Sequence, residues 1–294
     1  MQNQQSNMKA GLWMVAWLAL MLGMTIASRE VTRELNVLQL MELRSFIGFV
    51  MLLPLVFASG GFAAMRTKRP AQHIGRNIAH YVGQALWLYA LTLIPLAHLI
   101  SIEFTSPLWT ALLAVAFLGE RLNARKIAAI ALGLVGVAVI VRPGVTSMDP
   151  GHLVVLAAAF AFGISVAMVK SLTRTDSAVA IIFWMLIIQS VIGLVPALWT
   201  WRWPSAEIWP WVFVAAFCGS FAHYCQARAL VHADATVVMP MDFLRVPLTA
   251  LVGYLLYSEQ IDAVTALGAV LILFGNLLNL QRGKASAPAV ARTG

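Results

Sequence analysis

The stretch Ala178-Val-Ala-Ile-Ile-Phe-Trp-Met-Leu-Ile-Ile-Gln-Ser-Val-Ile-Gly-Leu-Val-Pro-Ala-Leu-Trp199 carries no charged side chain. As an α-helix it would be about 33 Å long at 1.5 Å per residue, and the hydrocarbon core of a bilayer is ~30 Å thick. Lipid offers the backbone no hydrogen-bond partner, so a stretch of this kind must be helical. Nine further segments approach or meet this length: 11–27, 37–58, 76–94, 97–118, 124–141, 151–169, 208–231, 235–257 and 263–280. The weak alternating pattern of a membrane β-barrel is absent. The expectation is an all-α polytopic membrane protein with ten transmembrane helices.

Composition agrees. Of 294 residues, 61% are hydrophobic and 11% are charged, whereas soluble domains run near 45–50% apolar and about 25% charged. The links are short, and only 59–75 is sizeable, with Gly60, Gly61, Arg66, Lys68, Arg69 and Pro70. No soluble domain fits between the segments, and 281–294 reads as a disordered cytoplasmic tail. The net charge of +8 sits in clusters between apolar runs. That suits the anionic face of a membrane and argues against nucleic acid. Cys218 and Cys225 are seven residues apart in one apolar segment. That separation is about 10 Å along a helix, too far for a disulfide.

Lys and Arg accumulate in cytoplasmic loops. One side of the ten segments, shared by both termini, holds thirteen of them, from Lys9 through the Arg66–Arg76 cluster to Arg292. The other holds four: Arg29, Arg33, Arg142 and Arg202. The asymmetry places both termini in the cytoplasm of a cell with this protein in its inner (plasma) membrane. Trp199, Trp201, Trp203, Trp209 and Trp211 cluster at one boundary and read as an interfacial aromatic belt.

Shifted by 139 residues, the two halves begin to match. Phe104 falls on Phe243, Glu120 on Glu259, Ala124 on Ala263, and Gly136 on Gly275. The units are 11–141 and 151–280. Five helices per unit is an odd number, so the second unit starts from the opposite side and the repeats are inverted. Inverted repeats recur in secondary transporters, where two halves rock about a site at their interface. A duplicated scaffold with no transport role is the plain alternative. Lys9, a short apolar run and Ala27-Ser28 mimic a secretory signal, yet removing that segment would break the five-plus-five arrangement.

The stretch Phe104-Thr-Ser-Pro-Leu-Trp-Thr-Ala-Leu-Leu-Ala-Val-Ala-Phe-Leu-Gly-Glu120 resembles the fourth helix of the drug/metabolite transporter superfamily, in its EamA-type branch. Gly133-Leu-Val-Gly136 and Val141-Arg-Pro-Gly144 are similar to that family's fifth helix and its exit. Ala250-Leu-Val-Gly-Tyr-Leu-Leu-Tyr-Ser-Glu259 is similar to its ninth. Ser258 departs from the family, which usually has Gly before this glutamate, and Arg44 sits where the family often has an arginine. The resemblance implies two EamA repeats and secondary transport of small metabolites. Members export amino acids, metabolites or metallophores, and others import cofactors such as S-adenosylmethionine or riboflavin.

Ionisable side chains inside a membrane are costly, so each marks a candidate site. Glu103 lies in the fourth segment; Asp242 and Arg245 lie in the ninth, spaced i, i+3 so that they share a face and can pair. Arg44 and Glu42 in the second segment point to different faces. His80 and Gln84 share a face of the third segment, and His223 in the eighth matches Gln84 under the 139 shift. Trp109 could line a cavity. The candidate substrate-binding set is Glu103, Arg44, Asp242, Arg245, His80, Gln84, Trp109 and His223. Pro107 and Pro247 interrupt corresponding segments, a pointer to a transporter site. Glu120, Glu259, Gly136 and Gly275 read as structural, the glutamates ordering turns and the glycines permitting close helix contact. A structural Asp242–Arg245 pair and a packed, protonated Glu103 are the bland readings.

No phosphate-binding Gly-Lys-Ser/Thr loop, nucleophile triad or zinc-ligand spacing is present in the sequence. Neither a cofactor nor an enzyme activity is expected. The expected function is secondary transport of a small polar or zwitterionic metabolite by alternating access, with export the favoured direction. Import of a cofactor is the alternative, and an integral membrane enzyme or lipid flippase is the rival of another class. Expected partners are the solute, the lipid bilayer, a coupling proton at Glu103 and a second copy of the chain through helices five and ten.

Overall fold

The structure, a computed structural model, describes residues 7–118, 124–142, 149–233, 235–260 and 262–280. They form twelve α-helices and one 3-10 turn, with no strand among the described residues. The helices are α1 (Asn7–Val31), α2 (Val37–Ala58), α3 (Pro70–Leu91), α4 (Leu96–Glu103), α5 (Ser106–Leu118), α6 (Ala124–Val141), α7 (Pro150–Leu172), α8 (Ala178–Trp199), α9 (Trp209–His232), α10 (Ala235–Asp242), α11 (Arg245–Tyr257) and α12 (Ala263–Leu280). Six stretches are long and apolar enough to cross a membrane: Met8–Val31, Val37–Ala58, Leu96–Leu113, Ala124–Val141, Pro150–Val169 and Ala178–Trp199. The helices α3 and α9 fall outside that set because they carry polar residues such as Arg76, His80, His223 and Arg228. Glu120 and the tail 281–294 lie outside the described residues.

Local chemistry starts the helices where the sequence allows. Asn36 caps α2 by accepting from Gln39 N at 2.9 Å, and Ser177 caps α8 by accepting from Ala180 N at 3.1 Å. Pro70 and Pro150 occupy the first positions of α3 and α7, where a missing N–H costs nothing. Two expected spans are broken: α4 ends at Glu103 and α5 begins at Ser106, while α10 ends at Asp242 and α11 begins at Arg245. Pro107 and Pro247 follow the breaks, and each lacks the N–H that would continue the ladder. Both breaks therefore fall at positions related by the 139-residue shift.

Packing is symmetric under exchange of the halves. The helix α1 lies on α9 and α3 on α7, two contacts that exchange with each other. The pairs α2 with α8 and α6 with α12 each map onto themselves, whereas α4 packs on α11 without a matching α5–α10 contact of that size among the described residues. All of these major contacts join one half to the other, so neither half buries its own apolar faces alone.

The equivalent helices α2 and α8 run antiparallel. Asn36, at the start of α2, donates to Thr200 Oγ1 after α8 at 2.6 Å, while Asp176 before α8 accepts from Thr67 Oγ1 beyond α2 at 2.7 Å. The seam between α6 and α12 is antiparallel as well and closes backbone to backbone: a Cβ at Gly136 would lie 2.7 Å from the carbonyl oxygen of Gly268, and one at Gly275 would lie 2.7 Å from that of Ala129.

At the opposite-half link, Asp176 also pairs with His73 Nε2 at 2.6 Å, both side chains being buried. Burial pushes the Asp176 carboxyl up, but the hydrogen bonds from His73 and Thr67 outweigh it and hold the group below its ordinary value near 3.8. Ser258 takes a left-handed φ of 54°, the conformation glycine adopts without penalty, which explains the glycine usual at that place in the resembling family.

The packing sets opposite expectations for two glycines. Gly136→Ala must push two backbones apart and should destabilise by about 1–3 kcal/mol, the scale of overpacking. Gly11→Ala has open space and should stabilise by roughly 0.5–1 kcal/mol through helix propensity; melting of both purified variants reads the contrast in sign. The depressed Asp176 contributes stability that is complete above its unfolded value and lost as pH falls through its lower folded value. Asp176→Asn should therefore lower Tm at pH 7, and the gap to wild type should narrow below about pH 4.

Candidate substrate site

The two helix breaks meet at the interface between halves. Phe104 and Phe243, equivalent residues at the two breaks, pack edge to face with ring centroids 5.5 Å apart. Beside them, Glu103 and Asp242 are also equivalent under the 139 shift. Arg245 Nη2 donates to Glu103 Oε1 at 2.7 Å, and its Nε lies 3.6 Å from Asp242 Oδ1. The guanidinium also sits over the Phe104 ring, 4.8 Å from its centroid. One cation thus serves two carboxylates, both at helix ends where the chain leaves the α-helical ladder.

Two indoles complete the cluster. Trp87 Nε1 in α3 donates to Glu103 Oε2 at 2.7 Å, and Trp17 Nε1 in α1 donates to Asp242 Oδ1 at 2.6 Å. Each indole satisfies an oxygen that would otherwise demand water, while its ring fills apolar space. Arg245 is 4% exposed. Its pairing with Asp242, expected from the i, i+3 spacing, is present, but Glu103 across the interface holds it more closely.

A second polar run lies alongside. Arg44 in α2 donates through Nη2 to Gln84 Oε1 in α3, and its Nη1 faces Met24 Sδ at 3.8 Å. Gln84 then has its amide N–H free to donate to His80 Nε2 at 3.0 Å, which leaves His80 Nδ1 to carry the proton toward Ser165 Oγ at 3.5 Å. His80 and His223 rings lie 6.0 Å apart, and His223 lies 5.7 Å from the Trp17 ring. Side chains from α1, α2, α3, α7 and α9 therefore join Arg44 to Asp242 without a gap.

Seven of the eight candidate residues belong to this assembly. Trp109 does not: it packs edge to face on Phe160 and borders a cavity of about 50 Å³ lined by Thr105, Leu108, Ile130 and Gly133. Glu42, on the other face of α2 from Arg44, is held by Ser190 Oγ in α8. Glu259 does more than order its turn. It pairs with Arg29 of α1, and its Oε2 accepts from Leu96 N at the start of α4 at 2.8 Å. A larger cavity of about 500 Å³, bordered by Arg29, Thr32, Thr92, Tyr257 and Ser258, opens at this end of the helices. Glu103 lies seven residues further along α4 from Leu96, about 10 Å at the helical rise.

Sequence reasoning missed Trp17, Ser165 and Asn276. Asn276 is 1% exposed in α12, and its Nδ2 donates to the Phe104 carbonyl at 2.6 Å. That carbonyl is free because Leu108 N bonds to Thr105 O instead. An amide in an apolar span is the available signal, and α12 carries two, Asn276 and Asn279. The equivalence of Glu103 and Asp242 was also legible, one residue before the Phe104–Phe243 match.

Known proteins resemble this chain in sequence and in fold. The profile of the EamA-like transporter family matches residues 8–142 and again 149–281. An S-adenosylmethionine uptake transporter of Rickettsia felis is 28% identical over 88% of this chain and 88% of its own. A riboflavin transporter of Rhizobium johnstonii is 32% identical over 80% of this chain and 78% of its own. A pseudopaline exporter of Pseudomonas aeruginosa is 28% identical over 83% and 86%. One solved crystal structure shares the fold, with a TM-score of 0.64 over 93% of this chain and 96% of that one at 19% identity. These relatives are named as transporters and not as enzymes.

Removing the shared cation tests the cluster. Arg245→Met leaves the buried Asp242 and the partly buried Glu103 carboxylates uncompensated and should cost about 3–5 kcal/mol. Adding Glu103→Gln to it should recover some of that loss, as read by melting of the single and double variants.

Proposed function

The chain belongs to the EamA-like transporter family, and from this premise we propose that it is a secondary active transporter moving a small polar or zwitterionic metabolite across the inner membrane by alternating access. The observation that carries the reading is the position of Glu103 and Asp242, equivalent residues of the two halves, at broken helices on the interface and sharing Arg245. Transporters bind substrate where discontinuous helices of two related halves meet. In this reading the chain crosses the membrane ten times, as inverted five-helix units 11–141 and 151–280, with both termini cytoplasmic. The Arg29–Glu259 pair and the cavity beside it then face outward, above the cluster.

Alternating access needs contacts that break and re-form between halves. The Arg29–Glu259–Leu96 link is a candidate outer closure, since it ties α1 and α11 to the start of α4. The seam of α6 and α12 supports the moving helices, and their outer faces, with Val135, Val270 and Phe274 exposed, suit lipid or a second copy. Two carboxylates against one arginine leave one negative charge for a substrate amine or a coupling proton to neutralise.

Export is the direction expected from sequence. Uptake of a cofactor is the second reading, favoured by the relatives named for S-adenosylmethionine uptake. Reconstituted vesicles loaded with amino acids, S-adenosylmethionine or riboflavin, assayed in both directions with and without a pH gradient, test the proposal. Saturable flux should appear for at least one solute and fall at least about tenfold in Glu103→Gln, Asp242→Asn and Arg245→Ala variants that insert normally, the scale of a lost charge-assisted hydrogen bond. Unchanged flux in all three would remove the site. Flux insensitive to the gradient would remove the proton.

A further inference from the structure

We infer that Arg44 is the docking point for a carboxylate of the transported solute. The inference rests on the transport reading and names the anionic end of its substrate class. Arg44 is 6% exposed, in the middle of α2. Its guanidinium carries a permanent charge and five N–H groups. Its contacts among the described residues are the Gln84 amide oxygen and the Met24 sulfur, both neutral. No described carboxylate forms an ion pair with it.

The contrast with Arg245 decides the assignment. Both arginines are more than nine-tenths buried, and they belong to one connected polar run. Arg245 already faces Glu103 and Asp242. An anion approaching Arg245 would have to displace a carboxylate, whereas an anion approaching Arg44 completes a missing pair. A buried charge without a counter-charge is strongly disfavoured, so the site is left poised for a partner that arrives from outside the chain.

The surroundings fit that role. Gly219 of α9 faces the arginine: a Cβ there would stand 3.1 Å from Arg44 Cδ and 3.6 Å from its Nε. Gln84 fixes the plane of the guanidinium and is itself fixed by His80. A guanidinium held in one plane can bind a carboxylate through two parallel N–H donors. Gln84 and Met24 add no charge of their own, so Arg44 presents one positive charge, which matches a monoanion.

The rival is compensation of Glu42 within α2. Glu42 points to another face, bonds to Ser190 and has no cation paired with it among the described residues. The test must therefore separate Glu42 from the ligand.

The experiment is thermal melting of the purified full chain in nanodiscs with probe pairs differing by one carboxylate: S-adenosylmethionine against its decarboxylated form, and phenylalanine against phenethylamine. The carboxylate member of at least one pair should stabilise wild type and its partner should not. Arg44→Gln should abolish that preference, and Arg44→Lys should weaken the apparent affinity by about tenfold or more, since an ammonium lacks the planar fork. Glu42→Gln should keep the preference. The inference is overturned if neither carboxylate stabilises wild type, if Arg44→Lys binds as wild type does, or if Glu42→Gln loses the preference too. Solutes that cross vesicles without any carboxylate preference sink this inference and leave transport standing. Absence of flux for every solute sinks the transport reading instead.

Discussion

Hydrocarbon supplies no hydrogen-bond partner, and that constraint governs this chain at the two places where it leaves the α-helical ladder. Pro107 and Pro247 break the helices at equivalent points, and the groups released must be satisfied from within. In the first half, Asn276 reaches from α12 to the Phe104 carbonyl at 2.6 Å, and Asn279 approaches the Pro107 carbonyl at 3.4 Å. In the second half, the Phe243 carbonyl accepts from Val246 N at 3.2 Å, within a tighter turn. The equivalent of Asn276 under the 139 shift is Val137, so the two breaks are sealed by different means. Broken helices could not persist between apolar neighbours without these substitutes for water.

A symmetric scaffold carries an asymmetric site. The α1–α9 and α3–α7 contacts exchange between halves, and the links Asn36–Thr200 and Thr67–Asp176 are counterparts at opposite ends of α2 and α8. Glu103 and Asp242 also obey the symmetry. Arg245 does not: its equivalent is Ser106. A single cation must therefore choose between two related carboxylates, 2.7 Å from one and 3.6 Å from the other.

Much of the fold was legible because lipid simplifies the code. Long uncharged runs such as 178–199 have one solution. Interfacial glycines could be read too, since Gly136 and Gly275 recur at the repeat spacing. The polar assembly was legible as a set of rare residues but not as a set of partners. Trp109 reads from sequence as a residue that could line a cavity with them, yet it packs on Phe160. Depth fixes height in the membrane, whereas the facing direction depends on which helix packs alongside. Trp17 was passed over because tryptophan in an apolar span looks like packing until a carboxylate is found 2.6 Å from its nitrogen.

Transfer free energy along the chain and self-similarity at one offset suffice to make this chain helical, membrane-embedded and duplicated. Who pairs with whom emerges only when the helices pack: Arg245 serves both Glu103 and Asp242, Asn276 closes the gap at Phe104, and Arg44 has no ion-paired acid among the described residues. Partnerships between residues 142 or 172 positions apart depend on how the two halves interlock. No local spacing encodes that choice, because each half buries its faces mainly against the other.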